Sequence, residues 1–210
     1  MVLITTALQE TFPKDINKKV LFLGEWCKVY SNKPAWQKFN SKTMPYHWDD
    51  RKKLYTDYQN IQIIYEKILL ELSSKLNQTH QVNYSLRYWR ILIGPWLGYF
   101  IQMLFDRWFM LNTAFDSNQK YHCCIIRRDN YSSVPYNMNS FEQQFITDEW
   151  NEVIYGQLIE LCWANKVNIT RIEKIKQAPQ PIAKKIPIKK YIKEAILPFL
   201  SKFFIKDNDH

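Results

Sequence analysis

Apolar positions fall in two patterns along this chain. Near the start they form short runs: Val2–Ile4 inside VLITTAL (2–8), and Val20–Leu23 inside KKVLFLGEWC (18–27). Continuous apolar, β-branched runs closed by small or polar residues predict strands of a parallel sheet covered on both faces. YHCCII (121–126) predicts a third strand. Further along, the spacing changes to three and four. Leu54, Tyr58, Ile61, Tyr65, Ile68, Leu72 and Leu76 predict an amphipathic helix that ends near Asn77. Asp49 or Asp50 stands at its start as an N-cap, with negative charge at the positive end of the helix dipole.

Residues 85–115 predict a second long helix, apolar nearly all round and therefore expected in the domain centre. Gly94–Pro95 is expected to kink or split it, because Pro95 has no N–H to donate to residue 91. Residues 139–165 predict a third helix, and residues 28–48, with Pro34 and Pro45, an irregular segment holding one short helix. From 166 the chain turns rich in Lys and Pro, which reads as linker, with a short basic amphipathic helix near its end. The expected fold is α/β, with a small, mostly parallel, Rossmann-like sheet and long packed helices. The domain is expected over 1–165 and the basic tail over 166–210.

Charge sharpens this division. The chain carries +9, but residues 166–210 hold 11 Lys/Arg against 4 Asp/Glu. The body is close to neutral, which argues against nucleic acid as a partner. The tail offers a peripheral contact with anionic lipid, although most such runs are solvated linker. No basic segment followed by a cleavage site opens the chain, and no apolar run reaches the length that spans a bilayer. The expected location is therefore cytoplasmic, with peripheral contact at the inner membrane face as an option. The four cysteines are expected as reduced, buried thiols, since an adjacent pair does not match a zinc or redox spacing.

Candidate chemistry clusters in three places. PYHWDDRKK (45–53) sets His47, Asp49, Asp50 and Arg51 ahead of the first long helix. His47 has the pKa range of a general base, Asp49 or Asp50 could orient it, and Arg51 could bind phosphate at the helix N-terminus. Equally, the aspartates are caps and His47 packs on Trp48. Arg87 and Arg90, three apart on one helix face, either grip a phosphate or pair with carboxylates such as Asp49, Asp50, Glu25 or Asp106. Thr5, Thr6, Glu25 and Trp26 follow strands, at the carboxyl edge where such sheets collect functional groups, and Glu25 is a second candidate base. Neither a dinucleotide nor a P-loop glycine pattern is present, so no cofactor is expected, and His-x-Asp-Asp alone makes a poor metal site.

Several of these stretches carry a family likeness: VLITTAL, VLFLGEWC, MPYHWDDRKKLYTDY, LSSKLNQTH and SLRYWRILIGPWLGYFIQMLFDRW. Over residues 2–165 the chain resembles a transferase family associated with O-antigen and other surface-polysaccharide biosynthesis in bacteria. The resemblance implies a glycosyltransferase-like protein whose partners are a sugar acceptor and a nucleotide-sugar donor. It also implies that the donor site lies in a carboxyl half beyond this chain, and that the chain alone is inactive. Two other readings stand beside it: a non-catalytic module docking on a membrane assembly, and a complete phosphate-ester enzyme acting on a sugar nucleotide.

Overall fold

The computed structural model describes residues 1–116, 119–127 and 135–173. These form two compact units. Among the described residues, the first joins Met1–Tyr46 to those from Met110 to Glu173, and the second is His47–Phe109.

The first unit is built on a five-stranded, all-parallel sheet: β1 Val2–Ile4, β2 Val20–Phe22, β3 Ser41–Thr43, β4 Tyr121–Arg127 and β5 Val167–Glu173. Their order across the sheet is β3-β2-β1-β4-β5. This is the Rossmann-like order, in which the strand sequence reverses direction between β1 and β4. β1 and β2 are buried along their whole length, as expected for central strands covered on both faces. Val2 pairs with Val20 on one side and His122 on the other, so the short β1 holds the two halves of the sheet together.

Two strands escaped the hydrophobic pattern. β3 reads Ser-Lys-Thr; it is an edge strand held by backbone pairing with β2 and needs no apolar face. β5 lies in the segment read as linker, and it pairs with β4 over seven residues. The sheet therefore runs on to Glu173, beyond the boundary expected at 165. Val167, Ile169, Thr170 and Ile172 are the β-branched signal that the surrounding lysines obscured. The rest of the expected tail, with its helix and membrane contact, lies outside the described residues.

Short helix α1 (Lys33–Trp36) follows β2. The helix expected over 139–165 is two helices, α4 Met138–Gln144 and α5 Asp148–Cys162. Asn137 and Ser140 close a capping box on α4, and the Thr147 hydroxyl accepts from Trp150 N–H to start α5. α5 approaches β4 closely at Gly156, where a Cβ would come within 2.9 Å of the Ile125 side chain.

In the second unit, α2 (Arg51–His80) begins as expected. Asp50 caps it, accepting from Lys52 N–H at 2.9 Å and Lys53 N–H at 3.2 Å. The helix runs three residues past the expected end, to His80, where Gln81 takes the left-handed conformation with φ 54° and closes it. α3 (Leu86–Phe115), which continues into the first unit at Met110, is one helix with Pro95 inside it, so of the expected kink or split the split does not occur. Nor is it buried all round: Tyr88, Ile91, Leu92 and Tyr99 are exposed on its first half, and the fully buried positions begin at Leu97. Among the described residues no helix is long and apolar enough to cross a membrane.

Candidate functional site

At the carboxyl ends of β1 and β2, Thr5, Thr6, Gly24, Glu25 and Trp26 stand where the strand pattern placed them. Thr5 and Thr6 are buried, and both hydroxyls donate to Glu152 Oε2 at 3.3 Å. Glu152 also accepts the Ile126 N–H at 3.2 Å through Oε1. One turn earlier on α5, Asp148 Oδ1 accepts the Ala7 N–H at 3.0 Å. In dinucleotide-binding folds the turn after β1 offers such donors to a diphosphate. Here they are committed to the protein's own carboxylates. Thr5 and Thr6, read from the sequence as phosphate-binding candidates, are here donors to Glu152.

Trp26 donates its indole Nε1–H to the Thr5 carbonyl at 2.9 Å, bridging the ends of β2 and β1. Its ring lies against Gly24, where a Cβ would come within 2.1 Å of the six-membered ring. Tyr46 meets it edge-on, with centroids 6.1 Å apart and an interplanar angle of 86°. Glu25 points outward with a side chain 76% exposed, and pairs with Lys28 at 2.9 Å. Cys27, just beyond, is buried, and burial pushes its thiol up to about 12, so it stays protonated and is no nucleophile at neutral pH.

The second unit holds the other cluster. His47 sits in a one-turn 3-10 segment (His47–Asp49) before α2, stacked on Phe109 and tilted on Trp48, with centroids 4.6 Å away in each case. Its Nε2 is 2.9 Å from Asp106 Oδ1, and its Nδ1 is 3.8 Å from Asp57 Oδ2. Asp106 also accepts from Arg107 at 2.5 Å, and Asp57 from the Trp48 indole at 3.0 Å and from Lys53. The imidazole is thus enclosed, its side chain 5% exposed, with both nitrogens turned towards carboxylates.

This cluster differs from the expected one. Asp106 and Asp57, not Asp49 or Asp50, orient His47. Asp49 and Asp50 are exposed, and Asp50 is spent on capping. Arg51 is exposed at the first position of α2, and the Lys52 and Lys53 N–H groups behind it are capped by Asp50. Arg90 forms a two-pronged ion pair with Glu66, both contacts at 2.6 Å. That hydrogen bond holds the Glu66 carboxyl below its ordinary range. Arg87 is exposed and has no ion pair among the described residues. Sixteen residues of α3 separate Arg90 from Asp106, about 24 Å along the axis. His47 and the two arginines therefore do not converge on one ligand within this unit.

A family model, LIC12162 family transferase, matches residues 1–209. The chain belongs to that family. Comparison with curated proteins and with solved structures finds no match. In this member of the LIC12162 family, the residues that sequence patterning missed are Asp57, Asp148 and Glu152. Asp148 is the half-buried first residue of α5, whereas Asp57 and Glu152 are carboxylates set among the apolar positions of their helices, Asp57 four before Ile61 and Glu152 two before Ile154. Such a residue signals a buried, partnered charge. Among the described residues of this transferase, no group of three or more His, Cys, Asp or Glu could hold a metal ion.

Proposed function

We propose that the chain supplies the acceptor side of a glycosyl transfer in bacterial surface-polysaccharide (O-antigen) assembly, at the cytoplasmic face of the membrane. The carrying observation is the chemistry of the sheet's carboxyl edge. The donors that would meet a diphosphate are bound to Asp148 and Glu152, while Glu25, next to Trp26 in the chain, is exposed to solvent and paired with Lys28. A carboxylate beside an aromatic ring suits a neutral acceptor hydroxyl. The nucleotide of the donor is then held away from the turn after β1.

Glu25 is the base in this reading. As the acceptor oxygen attacks the anomeric carbon of the sugar donor, the bond to the nucleoside diphosphate breaks and the hydroxyl proton passes to the Glu25 carboxylate. Glu25 is preferred to His47 because it is exposed, whereas the His47 nitrogens already face Asp106 and Asp57. The His47 cluster then serves to hold α2 against α3.

The test is transfer by a full-length family member, with labelled nucleotide sugars and membrane lipid extract as acceptor. Glu25→Gln should lower kcat by about 10²- to 10⁴-fold, the usual worth of a general base. His47→Gln, which keeps a donor for Asp106, should leave kcat within a few-fold. Full activity in Glu25→Gln together with loss in His47→Gln would reverse the assignment. A folded protein that transfers no sugar from any donor would overturn the reading.

A further inference from the structure

We infer that Trp26 is the stacking platform of a binding site for one neutral pyranose ring, at the carboxyl ends of β1 and β2. The inference rests on the acceptor-side reading and names the ligand class for it.

The indole is held in three ways. Its Nε1–H is tied to the Thr5 carbonyl. Its six-membered ring is seated on Gly24, which a side chain at that position would prevent. Tyr46 packs against it edge-on. Gly24 has φ −170°, extended backbone open to any residue, so what the glycine provides is room for the ring. A tryptophan that only filled the core would be driven fully under cover, and this one is pinned while part of its surface stays accessible. Rigid aromatic surface loses little conformational freedom when a ligand settles on it.

The polar groups around it fit a sugar. Glu25 carries an exposed carboxylate with one oxygen paired to Lys28 at 2.9 Å, and Asn32 donates through Nδ2 to the Ala7 carbonyl at 3.4 Å, at the same strand end. Carboxylate and amide groups beside an aromatic face match vicinal hydroxyls above a face of C–H groups. An anion is disfavoured, because Asp148 and Glu152 already occupy the donors of the β1 turn.

The experiment is a titration of the ¹⁵N-labelled 210-residue chain, following the Trp26 indole N–H, assigned by its absence in Trp26→Phe. The probes are the methyl glycosides of glucose, galactose and N-acetylglucosamine, with inorganic pyrophosphate as the anionic comparison. At least one glycoside should shift the Trp26 resonance saturably, and pyrophosphate should not. Gly24→Ala, which displaces the ring, should weaken that binding by about tenfold, the worth of one lost stacking contact. The wild-type titration decides the matter even where a variant fails to fold. No shift with any glycoside, or a saturable shift with pyrophosphate, overturns the site. Sugar binding without transfer would sink the Glu25 mechanism and leave this site standing; transfer without a Trp26 shift would do the reverse.

Discussion

Glu152 and Thr6 lie 146 residues apart in sequence and 3.3 Å apart in the fold, where the hydroxyl of one meets the carboxylate of the other. The same carboxylate takes the Thr5 hydroxyl and the Ile126 N–H, so one side chain of α5 ties the ends of β1 and β4 where the strand order reverses. Glu152 is 1% exposed, and its removal would strand buried donors. Glu152→Ala should therefore lower stability by about 3 kcal/mol, and Glu152→Gln by less, since one amide oxygen remains to accept. Urea unfolding followed by circular dichroism measures both; an Ala variant as stable as wild type would show that the link contributes nothing.

The second unit makes a parallel prediction. Asp106 is buried between His47 and Arg107. Asp106→Ala leaves Arg107 and the His47 ring without their carboxylate and should cost about 3–5 kcal/mol. Arg90→Ala, at an exposed pair with Glu66, should cost far less. Comparable losses in the two variants would contradict the burial of the His47 cluster.

Alkali should loosen the first unit through its thiols. Burial raises Cys27 from 9.0 to about 12 and Cys162 to about 11, with Cys123 well above its ordinary value for the same reason. A raised folded-state value means that the folded chain holds its proton more tightly. The stabilising contribution is then complete below pH 9 and fades as pH climbs towards 12. The urea midpoint should fall over that window, and Cys27→Ala should flatten part of the fall. Rapid reaction of Cys27 with a thiol reagent at neutral pH would contradict its enclosure.

Helix α3 offers a contrast between two leucines five residues apart. Leu97 is fully buried and Leu92 is 60% exposed. Leu97→Ala should cost about 2–5 kcal/mol, whereas Leu92→Ala should stay within about 0.5 kcal/mol. Thermal melts of the two variants decide it, and equal effects would place the core boundary of α3 elsewhere.

The local code was strongest where one element could be satisfied by its own residues. Val2–Ile4 and Val20–Phe22 are buried strands because every position is apolar, and Asp50 caps α2 because its carboxylate reaches the N–H groups two and three residues on. The carboxyl edge, with Thr5, Thr6, Glu25 and Trp26, was likewise legible from strand ends and a glycine. β3 and β5 were not, since an edge strand can be held by backbone hydrogen bonds to a neighbour that the local pattern does not reveal.

Residue order by itself thus determined the α/β class, the central strands, the long helices and the family likeness, all of which rest on periodicity or on contiguous motifs. Only the tertiary structure decided the partners of the charges: His47 with Asp106 and Asp57, Arg90 with Glu66, Thr5 and Thr6 with Glu152. The physical reason is that a carboxylate, buried as in Asp106 and Glu152 or exposed as in Glu66, pairs with whichever donors the fold brings to it. Those donors lie from 24 to 147 residues away in the Arg90, Asp106 and Glu152 pairs, beyond the reach of any local spacing rule.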